Sequence, residues 1–165
     1  MAAIDPFFLE ATQRAAELCV KHHKPYVTID CAHGTYLNRH AAVNVVSKEC
    51  MGGPYRGKSR EEAYDLLTAD TDGLVIITAG GEDMLWGRRG QKPHRTAPFR
   101  VPVKSTLGAG DTFKAGCVYA LLHGMGDEET VRFAAACAGI AVQRFPLPLC
   151  PPELDEVNEL LKRKE

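Results

Sequence analysis

The residues best suited to chemistry lie together in one short segment. Gly108 and Gly110 flank Ala109, Asp111 follows directly, and an apolar, helix-like run begins at Phe113. Small residues let a ligand approach the backbone, and the start of a helix offers unpaired N–H groups that attract anions. A carboxylate at the same point can accept a proton from a hydroxyl. This combination predicts phosphoryl transfer to an alcohol, although a turn with a capping aspartate fits the same residues.

The longer segment Ser105–Gly116 reads STLGAGDTFKAG. It resembles the C-terminal signature of the ribokinase-like (PfkB) carbohydrate kinases, D-T-x-G-A-G-D-x-F-x-A-G, at every position except the first, where Ser105 replaces aspartate. The resemblance implies ATP-dependent transfer of a phosphoryl group to a hydroxyl of a sugar or related small alcohol. It also implies that Asp111 is the catalytic base and that Gly108–Gly110 supply backbone donors for the transferred group.

Two further segments resemble the nucleotide site of that family. Leu74–Gly80 is similar to the strand that ends in T-x-G, which implies nucleotide contacts from Thr78 and Gly80. Glu128–Val142 is similar to the small-residue helix that closes the adenine site. The residues that would leave room for a purine are Ala135, Ala136 and Gly139. An ordinary strand end and close helix packing are the alternative interpretations.

The metal motif of the family is altered in this chain. Val45–Cys50 resembles the strand that leads into N-x-x-E, but Ser47 and Cys50 replace the asparagine and glutamate. Glu49 is one residue out of register. The resemblance therefore implies Mg²⁺ held mainly by ATP phosphates and water, with its protein ligands undefined. The S-K-E variant is similar to the ketohexokinase branch. Ser105 replaces an aspartate tied to a monovalent-cation site in related kinases, so potassium activation is not expected.

Members of that family are longer than this chain, and their N-terminal half carries a sugar-binding aspartate, a Gly-Gly motif and a lid. Nothing here resembles those parts. We expect residues 1–165 to form a single α/β domain. It would correspond to the half of such a kinase that binds the nucleotide and carries the catalytic base, without the strands that would pair before Tyr26. Such a half is expected to self-associate or form a homo-oligomer and to lack sugar kinase activity alone. An inactive nucleotide-binding or interaction module derived from such a kinase is the alternative.

Composition excludes several other classes of protein. The chain has 165 residues, 45% hydrophobic and 25% charged, which is ordinary for one globular domain. A net charge of −1 without a long basic run argues against a nucleic-acid partner, and no apolar run is long enough to span a membrane. The six cysteines form no C-x-x-C or zinc pattern, which favours reduced thiols in the cytoplasm. The chain lacks a G-x-G-x-x-G motif after its first predicted strand, which argues against a dinucleotide-binding dehydrogenase.

Strand-like and helix-like segments alternate along the chain. The predicted strands are Tyr26–Ile29, Val43–Val46 and Leu74–Thr78, with an antiparallel pair formed by Met84–Trp86 and Pro98–Val103. The predicted helices are a first one beginning at Asp5-Pro6, then Asn38–Ala42, a helix capped by Ser59, Asp111–His123, Glu128–Gln143 and Pro152–Lys162. In the first helix, an apolar stripe is predicted at Phe8, Ala11, Ala15, Leu18 and Cys19.

This alternation predicts a ribokinase-like α/β fold, a three-layer α/β/α sandwich with a mostly parallel sheet. Ligands of such sheets bind beyond the carboxyl ends of the strands. The sequence therefore predicts that Thr78–Gly80 and the Gly108–Asp111 loop share that edge.

Overall fold

The computed structural model describes residues 1–163. By its backbone contacts the chain divides into two units, Met1–Thr96 and a second that begins at Ala97. The predicted single domain extends to residue 165, so its last two residues lie outside the described part. No helix within residues 1–163 combines the length and the apolar character needed to cross a lipid bilayer.

The first unit contains a six-stranded sheet whose spatial order follows the chain. The strands are β1 (Ala2–Ile4), β2 (Tyr26–Ile29), β3 (Val43–Val46), β4 (Leu74–Ala79), β5 (Glu82–Gly87) and β6 (His94–Thr96). The pairings from β1 to β4 are parallel, and those of β4 with β5 and β5 with β6 are antiparallel. This confirms the prediction of a mostly parallel sheet.

Four helices belong to the first unit: α1 (Leu9–Lys21), α2 (Tyr36–His40), α3 (Lys48–Met51) and α4 (Arg60–Ala69). Every residue of β2 and β3 is buried, as expected for parallel strands that are covered on both faces. The capping box predicted at the start of α4 is present, since Ser59 and Glu62 exchange side chain to backbone hydrogen bonds. One apolar cluster joins α4 to β4 and β5 through Tyr64, Leu67 and Ile77, among others.

The second unit is helical, with α5 (Ala109–Leu122), α6 (Asp127–Ala141) and α7 (Leu154–Leu161). The α5 and α6 helices pack closely, since a Cβ atom on Gly116 would lie 2.8 Å from the Cα of Ala134. An apolar cluster between α6 and α7 includes Phe133, Val157 and Leu160. All three predicted helices of this part are confirmed, with ends displaced by one or two residues.

Three sequence expectations are wrong in the first unit, and two of them concern its N-terminal part. A strand does precede Tyr26, because β1 pairs with β2 in parallel. The predicted stripe of α1 is also misplaced. Phe8 lies in a preceding 3₁₀ turn, and Thr12 and Ala16 are the buried residues of the helix. The Thr12 hydroxyl donates to the Asp5 carbonyl at 2.8 Å, and Ala16 packs in an apolar cluster with Ile4 and Tyr26. Ala11, Ala15 and Leu18 are exposed.

The third wrong expectation concerns the partner of β5. The strand that pairs with it is β6, not Pro98–Val103, which contains no strand. Pro98 and Pro102 lack the N–H groups that a ladder requires. The indole Nε1 of Trp86 donates to the Thr96 hydroxyl at 2.9 Å and ties the observed pair together.

Candidate functional site

Polar side chains at the ends of β2 and β3 are bonded to each other. Asp30, which has a left-handed backbone with φ of 54°, accepts hydrogen bonds from the Ser47 N–H at 2.7 Å and the Ser47 hydroxyl at 3.0 Å. The Ser47 hydroxyl also accepts from the N–H of Cys50 at 3.2 Å, which caps α3. The two loops are therefore held together by a carboxylate and a hydroxyl. Sequence analysis singled out Ser47, but not its contact with Asp30, because nothing in the sequence measures a separation across two strands.

The two residues predicted to contact a nucleotide in the first unit lie at the end of β4, where Thr78 is the penultimate residue of the strand and Gly80 follows it. Thr78 is half-buried, and its hydroxyl donates to the Val46 carbonyl at 3.4 Å. Gly80 is exposed, with φ of 63°, and a Cβ there would meet no atom. It forms the turn into β5, and this turn requires a left-handed backbone that favours glycine. Contacts of Thr78 and Gly80 with a nucleotide stay a prediction.

The Gly108–Asp111 segment forms the start of α5. Gly108 is the N-cap with φ of 80°, and a Cβ there would lie 2.8 Å from Leu147 Cδ2. The Gly108 carbonyl accepts from both the N–H and the hydroxyl of Thr112, each at 2.9 Å. The N–H groups of Gly110 and Asp111 have no hydrogen-bond acceptor within residues 1–163. Two backbone donors at a helix N-terminus are therefore open to an anion.

Asp111 is the third residue of α5, and its side chain is 76% exposed. Its Oδ1 atom lies 3.6 Å from Nζ of Lys114, one turn further along the helix. The carboxylate is therefore accessible to a substrate hydroxyl while it lies beside the open N–H groups. The four residues predicted to act on the transferred group are consecutive in the chain and form the N-terminal turn of α5 with its cap, and their role stays a prediction. The structure also places a lysine next to them, which the sequence analysis treated only as an unspecified position of the signature.

A cavity of about 840 Å³ opens beside Asp111 within the second unit. Its walls are mainly apolar and come from α5, α6, α7 and the segment 145–152. Among the lining residues are Tyr119, Phe133, Phe145 and Leu147. Gly108 and Asp111 also line this cavity, so it borders the start of α5.

The small residues predicted to border a purine lie in the interior of α6. Ala135 is 6% exposed and Ala136 is fully buried. Ala136 belongs to the cluster with Val157 and Leu160, and a Cβ on Gly139 would lie 3.2 Å from Leu160 Cδ2. The structure therefore gives Ala136 and Gly139 a role in helix packing. Their contact with a nucleotide stays a prediction, as does that of Ala135.

Four of the six cysteines are poorly suited to act as nucleophiles or metal ligands. Burial raises the pKa of the Cys31, Cys50 and Cys137 thiols, each to about 11, and it raises the pKa of Cys117 as well. Protonated thiols are poor nucleophiles and poor metal ligands. Within the described residues, no three His, Cys, Asp or Glu side chains lie close enough to hold a metal ion.

A family model described as pfkB family carbohydrate kinase matches residues 28–153 of the chain. This chain belongs to that family. The match includes the strand ends of β2, β3 and β4, the signature at the start of α5, and the whole of α6. The predicted family is therefore confirmed. The match identifies the pfkB family but does not single out its ketohexokinase branch.

Several curated pfkB relatives share the name 5-dehydro-2-deoxygluconokinase. The one from Lacticaseibacillus casei is 24% identical over 111 residues, covering 67% of this chain and 34% of that protein. The one from Bacillus licheniformis is 29% identical over 105 residues, covering 64% of this chain and 32% of that protein. The chain therefore spans about a third of the length of the curated relatives it matches.

Solved structures of ribokinases share the fold. Arabidopsis thaliana ribokinase, complexed with ribose and ATP, has a TM-score of 0.78 at 23% identity, and the match covers 92% of this chain and 52% of that one. Thermotoga maritima ribokinase has a TM-score of 0.80 at 22% identity, covering 98% of this chain and 56% of that one. These likenesses confirm the ribokinase-like α/β fold predicted from the sequence.

Proposed function

We propose that this chain is the nucleotide-binding and catalytic-base part of a kinase that transfers a phosphoryl group from ATP to a hydroxyl of a sugar or related small alcohol. The observation that carries the proposal is the exposed Asp111 carboxylate beside the open N–H groups of Gly110 and Asp111. The names of the curated relatives favour a sugar-like acceptor. We give these names more weight in assigning the acceptor than the ketohexokinase-like variant at Ser47–Glu49, because that variant lies outside the signature.

In the proposed reaction each part of the α5 start has one task. The Asp111 carboxylate accepts the proton of the acceptor hydroxyl as the hydroxyl oxygen attacks the γ-phosphorus of ATP, and the bond from that phosphorus to the β–γ bridging oxygen breaks, so that ADP leaves. The backbone of Gly108–Gly110 holds the charge that develops on the transferred group. Thr78 and Gly80 are proposed to contact the nucleotide, and the small residues of α6 to leave space for its base.

Mg²⁺ is proposed to enter with ATP, held by its phosphates and by water, as is common for this ion. The chain offers few ligands of its own. The hydroxyl of Ser47 is already bonded to Asp30 and to the N–H of Cys50, and Cys50 is a poor ligand for a hard cation. Bound to ATP, the ion would neutralise part of the phosphate charge.

An inactive nucleotide-binding or interaction module is the second candidate. It is favoured by the substitution of Ser47 and Cys50 at the family's metal motif and by the share of the relatives that the chain covers, 34% for the Lacticaseibacillus casei protein. The intact Asp111 favours the kinase. We place either activity in the cytoplasm, because all six cysteines are free thiols and reduced thiols are typical of that compartment.

The first prediction is that the chain binds ATP or ADP weakly. Calorimetric titration at millimolar nucleotide should give measurable heat, and either nucleotide should raise the unfolding temperature. The variant Gly110→Val should weaken this binding at least about tenfold, because a branched side chain would obstruct the approach to the open N–H groups. Leu122→Val, at the exposed end of the same helix, is the matched control. No heat and no thermal shift with the unmodified chain would contradict the prediction.

The second prediction is that the chain self-associates. Phe7, Phe8 and Leu9 are 81%, 76% and 79% exposed, and they follow β1, the edge strand of the sheet. Exposed apolar groups beside an unpaired strand edge favour association. Light scattering over a concentration series should show a rising apparent mass, and the double variant Phe7→Ser, Phe8→Ser should reduce it. Leu149→Ser, at an equally exposed position in the second unit, serves as control. A constant monomer mass at high concentration would show the prediction to be wrong.

A further inference from the structure

A buried ammonium group lies beside the proposed base. Lys114 follows Asp111 by three residues on α5, and side chains at this spacing are neighbours on a helix surface. Its Nζ atom lies 3.6 Å from Oδ1 of Asp111. The side chain of Lys114 is 8% exposed, whereas that of Asp111 is 76% exposed. The lysine is thus held by its surroundings, while the carboxylate that it faces stays open to a ligand.

The burial of Lys114 argues for a use of its charge. Removing an ammonium from water costs free energy unless the charge meets suitable partners. One of the groups that the Lys114 ammonium faces is the Asp111 carboxylate, on which the proposed reaction depends.

The proposed reaction brings like charges together at the start of α5. The phosphate oxygens of ATP would approach the N–H groups of Gly110 and Asp111, and the Asp111 carboxylate lies at the same turn. Two negative groups at such a distance repel each other, which opposes binding of the nucleotide. An ammonium beside the carboxylate offsets this repulsion and still leaves the carboxylate accessible to a proton.

We propose that Lys114 is a positioning residue for Asp111, whose ammonium orients the carboxylate and compensates its charge when the phosphates of ATP are bound. This inference rests on the proposed function and deepens it. It concerns a residue that the family signature leaves unspecified, since position 114 is the second x of D-x-F-x-A-G.

A double-mutant cycle on ATP affinity tests the proposal without requiring turnover. ATP is titrated by calorimetry into the 165-residue chain and into the variants Lys114→Met, Asp111→Asn and the combination of both. With Asp111 present, Lys114→Met should weaken ATP binding about tenfold, because the carboxylate charge is no longer compensated. In the Asp111→Asn background the same substitution should change the affinity less than about twofold.

Two further variants separate charge from packing. Lys114→Arg keeps the charge and should retain most of the affinity, and Lys114→Gln repeats the neutral test with a polar end if the methionine variant does not fold. Lys162→Met is the matched control, because Lys162 also pairs with an acid three residues away, Glu159, but at an exposed position on α7.

Each outcome of the cycle bears on a different claim. Equal losses in the two backgrounds would show that Lys114 acts independently of Asp111, and would overturn the inference. Unchanged affinity in Lys114→Met would overturn it as well, while ATP binding by the unmodified chain would leave the proposed function intact. Failure of the unmodified chain to bind ATP would overturn both.

Discussion

Replacing Asp111 with asparagine is expected to lower the turnover number by a factor of about a hundred to ten thousand in a protein that joins this chain to the N-terminal half of a pfkB kinase. Asparagine keeps the size and shape of the side chain but cannot accept the proton of the acceptor hydroxyl, and general-base assistance contributes about that factor. The affinity for ATP should stay nearly unchanged or become slightly tighter, because a negative charge near the phosphates is removed. The measurement is sugar-dependent ADP release with a panel of sugars, together with calorimetry for ATP.

The control for this substitution is Glu128→Gln, which also neutralises an exposed acid in the first turn of a helix, here α6. Its turnover should match that of the parent. An Asp111→Asn protein that keeps a third or more of the parent turnover would rule out the role of base. The same assay applied to the 165-residue chain tests whether this part can act alone. Steady sugar-dependent ADP release that disappears in Asp111→Asn would show that our expectation of no independent activity is wrong.

A second large effect is expected from Gly116→Ala, which should lower the free energy of unfolding by about 2 kcal/mol. A Cβ at this position would lie 2.8 Å from the Cα of Ala134 and 3.3 Å from its Cβ. The α5 and α6 helices would have to move apart, because a backbone atom cannot rotate away as a side chain can. Urea denaturation followed by circular dichroism gives the change. Since Asp111 lies on the same helix, turnover should fall as well.

Gly139→Ala provides the matched control for Gly116→Ala. Both glycines lie inside helices, so both substitutions gain about 1 kcal/mol of helix propensity. The nearest atom to a Cβ on Gly139 is Leu160 Cδ2 at 3.2 Å, the end of a side chain that can adjust. We expect the stability of Gly139→Ala to equal or exceed that of the parent. A Gly116→Ala protein as stable as the Gly139→Ala protein would contradict the packing argument.

The parts of the fold that local chemistry specifies were predictable from the sequence. Strand β4 is a continuous apolar run between glycines, and the Ser59 capping box needs only residues three apart. The signature at the start of α5 is local too, and the structure places its four proposed functional residues together. In these elements, the residues that determine the local structure are close together in the chain, so a sequence pattern is enough to reveal them.

The features that sequence analysis missed depend on contacts between residues far apart in the chain, or on elements too short to show a sequence pattern. Strand β1 has three residues, too few for a period to show, and is defined by its pairing with β2. The buried face of α1 contains the Thr12–Asp5 hydrogen bond and the contacts of Ala16 with Ile4 and Tyr26, which the apolar pattern of the helix does not indicate. The Asp30–Ser47 contact spans two strands, and the burial of Lys114 results from packing that no motif encodes. The nucleotide contacts of Thr78, Gly80 and the α6 residues stay predictions.

The order of strands in the sheet bears on how the first unit is made. Because spatial order equals chain order from β1 to β6, each strand finds its neighbour already synthesised when it leaves the ribosome. No strand has to be inserted between two that are already paired, so each new pairing closes only the segment between consecutive strands, and the entropic cost of that closure grows slowly with its length. Sheet assembly can therefore keep pace with translation, and strand edges are exposed to other chains for less time.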